Sequence, residues 1–312
     1  MPHRLFSGRS LVSMEDLSPE DILQILTTAA IMKQISEREV KKAPTLRGRT
    51  VINFFAEPST RTRTSFEIAG KRLSADVINI SASGSSLSKG ETLKDMVTNL
   101  EAMRPDLIVI RSPHSGVPYK VSQWTRSPVI NAGDGRHEHP SQCLLDLMTI
   151  QERKKELAGL KVTILGDILN SRVARSNMIA MKKLGMEVTA CGPATLLPVN
   201  IDEMAARHTT NLEEAVEGAD VVMTLRIQKE RLDGAKFPNL REYSRLFGLN
   251  ARHLKLAARD ALVLHPGPVN QGVEIMPDVA SGPWSLILNQ VTNGVAVRMA
   301  ALYLLLGGEV ES

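Results

Sequence analysis

An α/β chain with two domains, each a parallel sheet with helices on both faces, is what this 312-residue sequence predicts. Two observations carry the prediction. Short apolar runs alternate with longer stretches whose apolar residues recur at helical spacing, the pattern of strands joined by crossover helices. About four of these runs fall before residue 135 and four after it, which divides the chain into two α/β halves. The length fits two domains.

The expected strands are Val51–Ala56, Asp76–Ile80, Asp106–Arg111 and Pro128–Ala132 in the first half, and Lys161–Leu165, Glu187–Cys191, Asp220–Leu225 and Ala261–Leu264 in the second. Helices fill the intervals: Thr60–Leu73, Leu93–Met103, His139–Leu157, Arg172–Leu184, Asn211–Glu217 and Gln290–Leu306. The first helix shows the reasoning. Phe66, Ala69 and Leu73 share one face, and Pro58 with Ser59 supplies a helix start. No repeat, low-complexity stretch or Gly/Pro linker marks the boundary between the halves.

Composition narrows the function. The chain is 43% hydrophobic and 23% charged, as in a soluble globular protein. A net charge of +4 is small for this length and aromatics make up only 4%, so neither a nucleic-acid surface nor a base-stacking platform is expected. Cys143 and Cys191 read as small core residues, not as a disulfide, metal ligands or nucleophiles. The N-terminal stretch has no signal-peptide pattern. The apolar run from Val295 to Leu306 is too short for a bilayer and contains Arg298, so no membrane is expected and the cytoplasm is.

In open parallel sheets, ligands bind beyond the carboxyl ends of the strands. The residues found there carry the chemistry. After the first strand comes Pro58-Ser59-Thr60-Arg61-Thr62-Arg63-Thr64-Ser65. Backbone N–H groups at the helix start converge and the helix dipole favours negative charge. Ser59, Thr60 and Thr62 add hydroxyls, and Arg61 adds a fork matched to phosphate oxygens. The plainer alternative is a capped helix with basic residues on its wet face, but Arg61 and Arg63 in the first turn oppose the dipole. Arg111, the Gly133–Gln142 stretch with His139, Arg172, Arg226 with Gln228, and His265-Pro266-Gly267-Pro268 follow the other strands. A cleft ringed by such residues would hold at least two anionic groups.

Each element also has a plainer reading. His139, before Pro140, could cap or pack, while Gln142 one turn on shares its helix face. Arg226 could be an arginine extended along the sheet edge. The turn from His265 to Pro268 is rigid, its second proline could be cis, and its carbonyls would be fixed acceptors, with His265 structural. The Gly/Ser-rich Ser81–Glu91 segment is either a plain loop or a lid delivering Lys89. Gly166-Asp167 lacks the G-x-G-x-x-G spacing, which excludes a dinucleotide fingerprint.

Together Ser59-Thr60-Arg61-Thr62-Arg63, His139-Pro140-Ser141-Gln142 and His265-Pro266-Gly267-Pro268 resemble the aspartate/ornithine carbamoyltransferase family, in order and spacing, over essentially the whole chain. Arg226-Ile227-Gln228-Lys229-Glu230-Arg231 and Ser88-Lys89-Gly90-Glu91 are similar to its aspartate branch. The resemblance implies carbamoyl transfer from carbamoyl phosphate to L-aspartate in pyrimidine biosynthesis, without cofactor or metal. Residues 1–138 plus 290–312 would bind carbamoyl phosphate and 150–289 aspartate, joined by a helix over 139–149.

It also implies residue roles. Ser59, Thr60, Arg61, Thr62 and Arg111 would hold the phosphate. Thr62, Arg111 and His139 would contact the carbonyl oxygen, and Gln142 with the carbonyls of Pro266 and Gly267 would accept from the amide. Arg172, Arg226 and Gln228 would clamp aspartate. Ser86 and Lys89 would reach a neighbouring subunit's site in a homotrimer, and association with regulatory or pathway proteins stays open. Ornithine carbamoyltransferase is the nearest alternative, and a non-catalytic carbamoyl-phosphate-binding relative is the other. Pro266 after His265, and Arg226 suited to a dicarboxylate, favour aspartate.

Overall fold

Among the described residues, two parallel sheets of four and five strands organise the chain, each with its own core. The computed structural model describes residues 10–81, 90–227 and 239–307. One unit consists of residues 1–148 with 292–312, the other of 149–291.

In the first unit, α1 (Pro19–Glu37) precedes β1 (Thr50–Phe55), α2 (Thr60–Arg72), β2 (Asp76–Ser81), α3 (Leu93–Ala102), β3 (Leu107–Ser112), α4 (Val117–Trp124), β4 (Val129–Asp134) and the start of α5 (Pro140–Lys154). The strands run parallel in the order β2-β1-β3-β4. Leu11 extends the sheet beside β4, its N–H donating to Val129 and its carbonyl accepting from Asn131. Val51 to Phe55 are all buried, because a parallel strand covered on both faces has no wet side. Ile52, Phe54 and Ile110 pack with Met96, Val97 and Leu100 of α3 and Val121 of α4. Burying each such large side chain stabilises by about 1.5–3 kcal/mol.

Two helices of this unit escape the pattern of apolar runs. Helix α1 starts at a reciprocal capping box, with Ser18 accepting from Asp21 N–H and the Asp21 carboxylate accepting from Ser18 N–H. Helix α4 follows Gly116, whose φ of +81° turns the chain.

The second unit runs from the rest of α5 through β5 (Lys161–Leu165), α6 (Arg172–Lys183), β6 (Glu187–Cys191), α7 (Ile201–Met204), β7 (Arg207–Thr209), α8 (Leu212–Val216), β8 (Val221–Thr224), α9 (Leu240–Phe247), α10 (Ala251–Leu254), β9 (Leu262–Leu264) and α11 (Pro277–Ala280) into α12 (Ile287–Leu305). Its order is β7-β6-β5-β8-β9, all parallel. The fifth strand, β7, pairs at the edge and has no apolar run to announce it. Leu165, Val222, Val263, Tyr243, Phe247 and Ile275 belong to one buried cluster. Cys143 and Cys191 are buried and in no disulfide; burial pushes the Cys143 thiol well up and that of Cys191 to about 12, with Asp146 and Glu214 respectively adding to the shift. Among the described residues no helix is long and apolar enough to cross a membrane.

Candidate active site

In the first unit the parallel register decides what meets. Phe55 pairs with Arg111, so the end of β1 and the end of β3 lie side by side. The chain leaves β1 through Ala56, whose N–H donates to the Arg111 carbonyl at 2.8 Å, and enters α2 at Thr60. Ser59 is the N-cap residue, yet its side chain makes no capping bond. By contrast, Thr92 caps α3 and Ser171 caps α6. The first turn of α2 therefore starts without an N-cap side-chain bond. Thr60 and Arg61 are exposed there, and Thr62 is buried.

The Arg111 guanidinium lies over this turn. Its Nη1 donates to Thr62 Oγ1 at 3.3 Å and approaches the Ala132 carbonyl at 3.5 Å. Its Nε donates to Glu57 Oε1 at 2.6 Å, with both side chains 14% exposed. Charge-assisted bonds of this length are strong. Glu57 is a residue the sequence reading passed over, although its place between the strand end and Pro58 is a signal for it.

His139 is buried at the start of α5, and its carbonyl accepts from Gln142 and Cys143. The stretch before it is fixed by two buried carboxylates. Asp134 accepts from Gly116 N–H at 2.6 Å, Asn131 Nδ2 at 2.8 Å and Glu138 N–H at 3.1 Å, and His137 Nδ1 lies 3.2 Å away. Burial alone would raise the Asp134 pKa, but the donors from His137, Asn131 and Gly116 outweigh it and hold the carboxyl below its ordinary value. Glu138 accepts from Ser13 Oγ and from Met14 N–H at 2.8 Å. The turn also needs Gly135, at φ +48°, because a Cβ there would sit 2.7 Å from Ser115 N. Gln142 Nε2 donates to Asp146 Oδ1 at 2.9 Å, one helical turn on. That bond leaves the Gln142 carbonyl oxygen as its remaining acceptor.

The second unit places its candidates after β5, β8 and β9. Arg172 is buried at the first position of α6, following a turn in which Asn170 Nδ2 donates to both oxygens of Asp167, at 2.8 and 2.9 Å. Arg226 is half-buried just beyond β8. The Gly267-Pro268 peptide is cis, and Gly267 has φ +63°. Gly267 N–H donates to His265 Nδ1 at 2.8 Å, so Nδ1 is the acceptor and the proton sits on Nε2. Nε2 then donates to Glu274 Oε1 at 3.1 Å, and His265 and Glu274 are both fully buried. Glu274 also accepts from Asn270 N–H at 2.6 Å, and Asn270 Nδ2 reaches the Ile227 carbonyl at 3.3 Å. His265 is thus the brace of its own turn, tied through Glu274 and Asn270 to the strand end that carries Arg226.

The structure brings Thr62 and Arg111 into contact, gathers Ser59, Thr60 and Arg61 on the same helix turn, and places His139 and Gln142 on one helix start. It places Arg172, Arg226, Pro266 and Gly267 in the second unit. Ser86, Lys89 and Gln228 lie outside the described residues.

Comparison with known proteins puts this geometry in context. The family model described as aspartate/ornithine carbamoyltransferase, carbamoyl-P binding domain, matches residues 9–152, and its Asp/Orn binding domain matches residues 158–305. The chain belongs to the aspartate/ornithine carbamoyltransferase family. Among family members, it is 60% identical over 299 residues to the aspartate carbamoyltransferase catalytic subunit of Syntrophus aciditrophicus, covering 96% of this chain and 97% of the relative. It is 58% identical over 304 residues to that of Syntrophotalea carbinolica, covering 97% of each. Solved members include the Trypanosoma cruzi aspartate transcarbamoylase in complex with N-(phosphonacetyl)-L-aspartic acid, at TM-score 0.88 and 29% identity over 97% of both chains. The ornithine carbamoyltransferase of Pyrococcus furiosus superposes at TM-score 0.87 with 31% identity, covering 97% of this chain and 98% of that one.

Proposed function

We propose that this family member transfers the carbamoyl group of carbamoyl phosphate to the amine of L-aspartate, giving N-carbamoyl-L-aspartate and phosphate. The observation that carries this reading is the Arg111 guanidinium seated on Thr62 at the uncapped N-terminus of α2. That is a phosphate cradle built from a helix end, hydroxyls and arginines. The identity to aspartate carbamoyltransferase catalytic subunits over nearly the whole chain supports it.

In this reading Ser59, Thr60, Arg61, Thr62 and Arg111 hold the phosphate. Thr62, Arg111 and His139 donate to the carbamoyl oxygen. Gln142 and the carbonyls of Pro266 and Gly267 accept from the carbamoyl amide, and the His265–Glu274 brace keeps that turn oriented. Arg172, Arg226 and Gln228 hold the two carboxylates of aspartate.

The chemistry asks for these groups. A phosphate dianion and a dicarboxylate repel, and the arginines offset that repulsion. The neutral amine attacks the carbonyl carbon, and negative charge builds on the carbonyl oxygen of a tetrahedral intermediate. Preorganised donors at such an oxygen contribute about 3–4 kcal/mol each. Collapse expels phosphate, and the proton lost by the amine passes to the departing phosphate. Holding the two reactants in attack geometry supplies up to about 7–11 kcal/mol more. A homotrimer in which Ser86 and Lys89 complete a neighbour's site, and a cytoplasmic place in pyrimidine biosynthesis, are part of the same proposal. Mixed trimers of Lys89→Ala and Arg61→Ala chains should then regain activity that neither parent shows.

The decisive assay supplies the purified chain with carbamoyl phosphate and either L-aspartate or L-ornithine. Carbamoylaspartate with stoichiometric phosphate is the expected result. Citrulline instead would move the chain to the ornithine branch. Phosphate binding without any product would make it a binding relative.

A further inference from the structure

We propose that Arg298 is a positioning residue of the phosphate cradle, a buried guanidinium that fixes the second turn of α2 and adds a positive charge beside the cradle at neutral pH. The inference rests on the carbamoyl-phosphate reading above and extends it to a residue of α12.

The geometry places Arg298 against the second turn of α2. Its Nη1 donates to Ser65 Oγ at 3.0 Å and to the Gly294 carbonyl at 3.0 Å. Its Cζ lies 5.1 Å from the centroid of the Phe66 ring, in cation–π range. Ser65 and Phe66 follow directly on the Thr60–Thr64 turn, so both contacts fasten the helix that presents the cradle. On its other side the guanidinium interacts electrostatically with Arg111 and Asp146, and Asp146 is the residue that holds the Gln142 amide.

A second observation comes from α12. Gly294 lies one turn before Arg298 in the middle of a helix, where glycine is disfavoured. A Cβ there would sit 2.6 Å from Arg298 Nη1 and 3.1 Å from Leu145 Cδ2. The helix gives up propensity at the point where the guanidinium needs room.

A purely structural role does not account for the charge. Arg298 is 4% exposed, and among the described residues no carboxylate lies within ion-pair distance of it. Its Nε is buried without a hydrogen-bond partner. Burial and then the like charge of Arg111 lower its pKa to about 9, partly offset by Asp146, so it remains protonated at neutral pH. Burying a charge that has no close ionic partner is costly, so an apolar side chain of similar size offsets the lost contacts to Ser65, Gly294 and Phe66 by removing that cost. Arg111 pairs with Glu57 and Asp146 offsets Arg298 only in part, so an anion on the cradle adds the countercharge Arg298 otherwise lacks.

The test measures inorganic phosphate binding by calorimetry, carbamoyl-transfer kinetics, and thermal unfolding of wild type, Arg298→Met, Arg298→Lys and Ser65→Ala. Arg298→Met should weaken phosphate tenfold or more and raise KM for carbamoyl phosphate by a similar factor, with KM for aspartate within twofold. Its ligand-free Tm should equal or exceed that of wild type. Arg298→Lys, which keeps the charge, should recover at least threefold of the lost affinity. Should the methionine variant not fold, Ser65→Ala decides, with an expected two- to threefold loss of phosphate affinity at unchanged Tm. Wild-type phosphate affinity in Arg298→Met, or in Ser65→Ala where only that variant folds, overturns the inference and leaves the carbamoyl-phosphate reading standing. A wild-type chain that binds no phosphate overturns that reading and the inference with it.

Discussion

The candidate residues of the first unit gather charge, and those of the second unit fix direction. Around the start of α2, Arg61 is exposed, Arg111 is held by Glu57, and Arg298 bonds to Ser65 with, among the described residues, no carboxylate at ion-pair distance. Around the His265–Pro268 turn, each polar group is braced by the next: Gly267 N–H on His265, His265 on Glu274, Glu274 on Asn270, Asn270 on the Ile227 carbonyl. In the proposed function, the difference sets what each group of residues does before any ligand arrives. A cradle of cations is destabilised by its own repulsion and is completed by a dianion. A turn of carbonyls carries no such repulsion and can be finished in advance, which is what preorganisation requires.

Substitutions can break the comparison at either side, and the largest effect is expected on the charged side. Arg61→Ala should cut turnover at least a hundredfold, read as carbamoylaspartate formed at saturating aspartate. A fall of less than tenfold would falsify the cradle assignment. On the second side, Arg226→Ala should raise KM for aspartate about thirtyfold while leaving phosphate affinity within twofold in calorimetry. If both ligands weaken equally, the division of labour between the units is wrong.

Glu274→Ala sharpens the comparison by removing the brace without removing a charge-bearing ligand contact. It strands His265 Nε2–H and Asn270 N–H in a buried site, a loss of about 2–4 kcal/mol. Tm should drop by roughly 5–10 °C, with phosphate affinity unchanged; a Tm within a degree of wild type would show that the network carries no stability. The smallest effect belongs to Asp134→Asn, which should cost about 1–3 kcal/mol at pH 7. Because the folded-state pKa of Asp134 is depressed, its contribution is present above the ordinary aspartate value and is lost as pH falls through the lower folded one. The stability gap between wild type and variant should therefore hold from pH 7 to about pH 4 and narrow only in stronger acid. A gap that narrows already at pH 6 would assign the stabilisation to another group.

Much of this molecule can be read from sequence because its strands are parallel and covered. Val51 to Phe55 and Val221 to Thr224 are buried throughout, so they stand out as mostly apolar runs, with Asn53 and Thr224 the polar members. Where that contrast is absent, reading fails. Strand β7 is three residues at an edge, two of them exposed. Helix α1 has a capping box and a buried stripe, but Leu23 and Ile31 on its outer face are 41% and 51% exposed and blur the pattern. Helices α7, α10 and α11 are single turns of four residues, shorter than any period can reveal. In the site, Arg111 was visible as a polar residue ending an apolar run. Arg298 was visible only as one charge in an apolar helix, because its significance depends on Gly294, Ser65 and Phe66, the last two far away in sequence. The brace role of Glu274 is hidden for the same reason: only the fold shows that His265 donates to it.

The first unit is assembled from two separated pieces of chain, residues 1–148 and 292–312, with the whole second unit encoded between them. On a ribosome the chain emerges in order and domains fold as units when their residues are available. The second unit therefore has all its residues in hand before the first does, and the phosphate half of the site waits for the segment carrying Arg298. A nascent chain stalled soon after residue 291 has cleared the exit tunnel should resist protease over 149–291 while its first 148 residues remain cleavable. Release of the remaining segment should then protect both.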